Sequence, residues 1–373
     1  MNLVAIKSAI DALSAPTISF TILTVIFPFI FPPSDWFEKI HRKFGFWRMW
    51  TKPGGLVGMI LITAFFVIGY FDIYFNKTLT KADNFPIVLM IYSMWFLIWL
   101  GMYKAYRNDI RLEQGLKPEE YNDPDDKVLV WPDLVYIEFI ALILFQVFLI
   151  VWSILVAAPI EEPANPAATP NPSKAPWYFL GLQEMLVYYD PWIAGVLLPT
   201  FIIVGLMAIP YLDINKKGDG YYSFKERRVG IFIFMYGWVV LWLFLIIIGT
   251  FFRGPNWNFF GPFEYWDTHK VEALTNVNLS EILWVKWLNQ GLPSNILIRE
   301  GLGFIVTGLY LFVLPVILAK TYLKDMLAAY GPTRFVTLMI LGLVMLALPI
   351  KMYLRWIFNL QYIIAIPEWF LNI

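Results

Sequence analysis

Groups able to bind a metal or carry acid–base chemistry are few in this chain of 373 residues, which has no cysteine and two histidines, His41 and His269. Thiolate metal sites, iron–sulfur ligation, disulfides and thioether-linked haem are therefore excluded. A dihaem site with two histidines per haem cannot be assembled from this chain alone, and no metal ligand set is predicted. His41, in Lys39-Ile40-His41-Arg42-Lys43, reads as part of a solvated helix facing lipid headgroups. His269, among polar neighbours, reads as a surface residue. The densest chemistry lies in Trp177-Tyr178-Phe179-Leu180-Gly181-Leu182-Gln183-Glu184-Met185-Leu186-Val187-Tyr188-Tyr189-Asp190-Pro191-Trp192. Helical spacing over 177–189 puts Trp177, Gly181, Glu184 and Tyr188 on one face, and Tyr178, Leu182, Met185 and Tyr189 on the adjacent one. Such a helix is too polar to span a membrane and belongs at its interface, where Trp and Tyr are favoured. With Gly181 leaving a gap between Trp177 and Glu184, the surface suits a flat, mostly apolar ligand with polar ends. An ordinary aromatic belt is the competing reading.

What must position this segment follows from composition. Hydrophobic residues make up 59% of the chain and charged ones 15%, against about 45–50% and 25% in soluble domains. The excess falls in long runs, so the chain is predicted to be an all-α, polytopic transmembrane protein of seven or eight spans. Candidate spans are 17–33, 55–72, 85–103, 134–158, 191–210, 229–251, 301–319 and 335–352. The first is crowded by Pro16, Pro28, Pro32 and Pro33, and a re-entrant or interfacial helix also fits it. It is not read as a cleavable signal, because no basic leader or small-residue cleavage site is visible. No repeat or inverted copy is apparent. A net charge of zero gives no electrostatic case for nucleic acid.

Connections 34–54, 104–133, 211–228 and 320–334 hold 18 of the 28 Lys and Arg residues, which predicts that they face the cytoplasm. Arg227 with Arg228 and Lys216 with Lys217 are the clearest markers. The long connections 159–190 and 253–300 then face outward. Residues 159–176 hold six prolines in eighteen positions and should form an extended strap, neither helix nor sheet; Glu161, Glu162 and Asp190 around it are expected to be solvated. The aromatic, Gly/Pro-broken stretch 250–272 reads as a docking surface or a headgroup-level belt. Pro367-Glu368-Trp369-Phe370 reads as an interfacial anchor. Inside the spans ionisable residues are nearly absent. Glu138, one turn into the fourth run, is expected to reach the interface or contact a partner, and no chain of acids marks an ion path.

A span, then a Pro-rich outward strap ending in Trp177-Tyr178-Phe179-Leu180, then further spans resembles the C-terminal part of cytochrome b, which in cytochrome bf-type complexes is the separate chain called subunit IV. The family's Pro-Glu-Trp-Tyr motif, part of its outer quinol-oxidation pocket, aligns with Ala175, Pro176, Trp177 and Tyr178. Two of the four residues match, and the flanking prolines and Phe179-Leu180 add specificity. The resemblance covers about 134–251. It implies three segments: 1–133 as an N-terminal extension with two or three spans, 134–251 as the subunit IV-like region with its loop 159–190, and 252–373 as an outward aromatic segment with two further spans.

The resemblance further implies a haem-free subunit of a quinol:cytochrome c oxidoreductase of the bc type, active in electron transport only within its complex. Trp177, Tyr178, Phe179, Leu182 and Met185 would bind the quinol. The motif glutamate is replaced by Pro176, which cannot titrate, so Tyr178 and Glu184 are the candidates to handle the hydroxyl and its proton. Alternatively Glu184 is a helix-face carboxylate paired with a basic residue of a neighbouring chain. Implied partners are a dihaem cytochrome b N-terminal subunit, a Rieske iron–sulfur protein and a c-type cytochrome, with haem b and the iron–sulfur cluster held by them, in a dimeric complex among lipids of a bacterial inner membrane, the quinol loop on the periplasmic side. A structural scaffold whose quinol site has been lost, and a secondary transporter, are the other classes kept open.

Overall fold

The computed structural model describes residues 3–122, 129–156, 163–215, 220–272, 275–369 and 371–373. Seven helices are long and apolar enough to cross a membrane: Lys52–Tyr70, Phe85–Glu113, Val130–Leu155, Ile193–Leu212, Phe224–Phe252, Gly301–Lys320 and Pro332–Phe358. In hydrocarbon a helix satisfies its own backbone polar groups, which is why the apolar runs take this form. Helices extend beyond several runs, as at Phe85–Glu113 and Pro332–Phe358, because the hydrogen-bond ladder continues through charged residues once it is nucleated. The first run differs. Its helix Pro16–Ile30 has 15 residues, about 22 Å, and is bent by 73° against a preceding helix ending at Ser14. Among the described residues the only strands are Ala365–Ile366 and Leu371–Asn372, paired antiparallel with Ala365 opposite Asn372. Lys216, Lys217, Glu161 and Glu162 lie outside the described residues.

The chain forms two compact units interleaved in sequence, one of residues 26–170 and 218–233, the other of 1–25, 171–217 and 234–373. In the first, Lys52–Tyr70 lies against Phe85–Glu113 through small residues. A Cβ on Gly58 would stand 1.9 Å from the ring of Trp95, and one on Gly55 2.3 Å from Trp99. That close approach lets the Trp95 indole donate to the Gly55 carbonyl at 3.1 Å and the Trp99 indole to that of Thr51 at 2.9 Å. At the far end of the second helix, Asp109 accepts from Ser223 Oγ at 2.6 Å and from the amides of Phe224 and Lys225 at 3.1 Å each. The carboxylate thus satisfies amides at the start of Phe224–Met235 that have no partner inside their own helix.

Beside it, Arg42 pairs with Glu38 and Glu113, Arg228 with Asp35 and Glu38, and Lys225 with Glu113. His41 departs from expectation: only 7% exposed, its Nδ1 is 2.7 Å from the Phe29 carbonyl oxygen. Burial pushes its pKa below the ordinary 6.5, against the raising effect of that bond and of Glu38. An imidazole that resists its proton in the fold takes it more readily when unfolded. Its stabilising effect is therefore present above about pH 6.5 and lost as the pH falls below that value. The unfolding midpoint is expected to drop more steeply between pH 6.5 and 5 in the wild type than in His41→Gln, as read by thermal unfolding in detergent.

In the second unit Phe20 packs against Phe244, Tyr353 and Trp356 at 5.3, 5.8 and 5.8 Å between ring centres. The C-terminal segment lies on Gly301–Gly308, where a Cβ on Gly303 would fall 2.2 Å from the Ile363 carbonyl oxygen. Glu300 there accepts from the Ala365 amide at 3.0 Å, and Glu368 is held by two bonds of 2.9 Å from Arg299. Pro367-Glu368-Trp369 is thereby tied to its own chain.

Candidate functional site

The strap is stitched down by polar side chains. Residues 168–176 carry neither helix nor strand, as their prolines dictate, and their backbone groups turn to side chains instead. Gln183 accepts from the Ala175 amide and donates to the Ser173 carbonyl, both at 2.8 Å. Lys174 donates to the Thr250 carbonyl at 2.7 Å and lies over the Trp266 ring at 5.1 Å. Asn171 and Asn256 exchange two bonds, of 2.9 and 2.7 Å. The strap is therefore fixed at one end to the helix that follows and along its length to the 250–272 segment.

That helix is shorter than expected. A 3₁₀ turn over Trp177–Phe179 leads into an α-helix over Leu180–Met185, and both Tyr188 and Tyr189 then donate to the Met185 carbonyl at 2.9 Å. The cause is Asp190-Pro191: proline disfavours helical backbone in the residue before it, and Asp190 starts the next helix by accepting from the Trp192 amide at 3.1 Å. Gly181 sits where a Cβ would be 3.2 Å from Ile246, and a Cβ on Gly249 would be 3.1 Å from the Leu180 carbonyl oxygen. Two glycines thus let the short helix press against the spanning helix.

The expected ligand-facing residues divide. Tyr178 and Phe179 are 48% and 49% exposed, with ring centres 4.6 Å apart, and Trp177 stands edge-on to Tyr178 at 5.6 Å. Leu182 is half-buried. Met185, at 6%, and Glu184, at 0%, are turned into the core. Glu184 faces no open gap beside Trp177. Arg253 grips it with Nε on Oε2 at 2.9 Å and Nη2 on Oε1 at 2.6 Å, and the Trp257 indole donates to Oε2 at 3.0 Å. The basic partner foreseen from a neighbouring chain is Arg253 of this chain. Burial works against the Arg253 charge, yet the charge of Glu184 and its hydrogen bonds raise the guanidinium pKa above its ordinary value. Burial pushes the phenol of Tyr188 up, and the charge of Glu184 adds to it, so Tyr188 stays a neutral hydroxyl beside the pair.

Arg253 and Trp257 are the members that sequence reasoning missed. Their signal was a lone Arg directly after an apolar span, since a buried acid requires a cation. Trp257 is held at φ 58° and Asn256 at φ 56°, a left-handed conformation that is an outlier for a bulky residue. The turn aims the Trp257 carbonyl at Arg253 Nη1, 3.0 Å away, and its indole at Glu184. Below lies Lys351, 1% exposed, over the rings of Tyr189 and Tyr362 at 5.9 and 5.7 Å. Its Nζ has no hydrogen-bond partner among the described residues. It is an ionisable group within the eighth run that hydropathy alone passed over.

The two histidines do not offer themselves as ligands, since His41 is turned to the Phe29 carbonyl and His269 is exposed. Among the described residues no group of three or more His, Cys, Asp or Glu side chains is placed to hold a metal ion.

Residues 163–263 match the family model described as Cytochrome b(C-terminal)/b6/petD. The match begins within the strap and runs past the spanning helix through Arg253 and Trp257, the turn that clasps Glu184. No solved structure matches the chain. From the strap to the aromatic segment after Trp257, this chain carries a cytochrome b C-terminal, subunit IV-like part.

Proposed function

We propose that the chain is a haem-free membrane subunit of a quinol:cytochrome c oxidoreductase complex of the bc type, in which it shapes the outer quinol-oxidation pocket. The family to which residues 163–263 are matched is part of such oxidoreductase complexes. The observation that carries the pocket reading is that this segment presents Tyr178 and Phe179 half exposed at a junction stitched by Gln183, Lys174 and Asn171. Phe179 and Trp177 offer faces and edges to a flat ring, and the Tyr178 hydroxyl hydrogen-bonds the quinol's. Met185, beneath, supports this surface as core.

Oxidation of a quinol releases two electrons and two protons. The electrons pass to redox centres held by partners: a dihaem cytochrome b N-terminal subunit, a Rieske protein and a c-type cytochrome. Within this chain Glu184 holds the wall of the pocket through Arg253 and Trp257, and its proton acceptance requires that the Arg253 pair part. The complex is dimeric and lies in a bacterial inner membrane, with 159–190 and 253–300 on the periplasmic side, as the Lys and Arg distribution supports.

Loss of one aromatic contact of about 1–1.5 kcal/mol corresponds to about a tenfold change. Phe179→Ala and Tyr178→Phe are each expected to lower quinol:cytochrome c kcat/KM of the purified complex by about that factor. Glu184→Gln removes the charge that Arg253 grips and is expected to act on kcat as well. The scaffold reading draws support from Pro176 and from the closed Glu184–Arg253 pair. Unchanged quinol oxidation in all three variants, with the complex intact, would establish it and remove the pocket.

A further inference from the structure

Val130–Leu155 is the one candidate span whose apolar window is 0% buried, and every residue from 133 to 156 is exposed. Its surface is not uniform. At about 100° per residue, Gln146 lies about 80° and Ser153 about 60° around the helix from Glu138, with Leu142 and Leu149 between them. The opposite face is Ile140, Leu144, Val147 and Val151. A second stripe beside the polar one holds Phe145, Phe148 and Trp152 in a ring-to-ring run at 6.2 and 5.8 Å. At a rise of 1.5 Å per residue, Glu138 stands about 12 Å and Gln146 about 24 Å from Val130, within hydrocarbon depth for a helix of 26 residues.

Lipid covers the aliphatic face without penalty, but it offers nothing to a carboxylate or a side-chain amide at these depths, where polar side chains face partners. No hydrogen bond or ion pair within the described residues satisfies Glu138 or Gln146. A second copy of this chain is a poor occupant. A two-fold dimer in a membrane sets the same depths opposite each other, so one Glu138 would face another. We propose that the stripe Glu138–Leu142–Gln146–Leu149–Ser153 is the seat of a membrane-spanning helix from a different subunit, with a Lys or Arg at the level of Glu138 and a hydrogen-bonding side chain at that of Gln146. The contact is separate from the quinol pocket and stands whether or not this chain oxidises quinol.

The experiment uses the full chain in its native membranes, with p-benzoylphenylalanine at Leu142 or Leu149 on the stripe and at Leu144 or Val151 opposite, and the cross-linked peptides identified by mass spectrometry. Stripe positions are expected to capture one spanning segment of another subunit, with Lys or Arg within a turn of the attachment point, while opposite positions yield lipid adducts. A membrane hydrogen bond of typical strength corresponds to about a threefold change. Gln146→Leu is therefore expected to reduce the Leu149 cross-link about threefold, and Glu138→Lys to abolish the one at Leu142. Because these side chains are fully exposed in their own chain, the variants leave its fold intact. Should Glu138→Lys fail to accumulate in membranes, Glu138→Gln is read instead, with a loss of about threefold expected. Capture of a second copy, capture of a segment without a cation, lipid adducts alone, or equal yields on the two faces would each overturn the assignment.

Discussion

Arg253→Leu is expected to destabilise the protein by about 3–5 kcal/mol, the typical cost of removing one partner of a buried ion pair. The magnitude follows from what is left behind. Glu184 is 0% exposed and keeps only the Trp257 indole and the neighbouring Tyr188 in place of two guanidinium bonds. An uncompensated carboxylate in that setting must take up a proton or open the structure to water. The double variant Glu184→Leu/Arg253→Leu is expected to recover most of the loss, because two apolar side chains need no partner. Thermal unfolding of the detergent-solubilised protein, followed by tryptophan fluorescence, reads both effects. Equal midpoints for the single and the double variant would show that the pair carries no coupling. Exposed pairs such as Arg42–Glu38, with Arg42 at 53% side-chain exposure, are expected to contribute under about 1 kcal/mol when removed.

Asp109→Ala is the second large effect, expected at about 3 kcal/mol. The carboxylate is 7% exposed and accepts three bonds at the start of Phe224–Met235. Its removal leaves two backbone amides and the Ser223 hydroxyl without acceptors, at about 1–3 kcal/mol for each buried unsatisfied group, moderated where water enters. Asp109→Asn keeps one acceptor oxygen and is expected to lose about half as much. Hydrogen exchange gives the local signature: the amides of Phe224 and Lys225 are expected to lose protection in Asp109→Ala while those of Lys52–Tyr70 retain theirs.

Much of the architecture was legible because its cause is one-dimensional. A run of apolar residues long enough to cross hydrocarbon must be helical, and seven of the eight candidate runs are long apolar helices. The eighth failed for a reason also written in the chain, since prolines crowd 16–33 and the helix there stops at Ile30. The strap was likewise legible from its prolines. Helix ends were less so: hydropathy marks where apolar residues stop, whereas the ladder of Phe85–Glu113 runs on through Lys104, Arg107 and Arg111.

The site was legible in part. Trp177, Tyr178, Phe179 and Glu184 were singled out from their types and spacing, and the periodicity that grouped Glu184 with Tyr188 agrees with their contact in the fold. Sequence could not say that Glu184 points inward, because a 3.6-residue period assigns a shared face without saying what that face meets. That is decided by Arg253, sixty-nine positions away, brought in by the end of a spanning helix and a left-handed turn at Asn256–Trp257. The covalent chain by itself determined the membrane setting, the number of spans within one and the absence of a redox centre built on cysteine, for these follow from composition and from the backbone's need for hydrogen bonds. Which carboxylate is free and which is clasped, and that Lys351 lies buried without an acceptor, only the tertiary structure decided, since ion pairing depends on distances across the fold rather than along the chain.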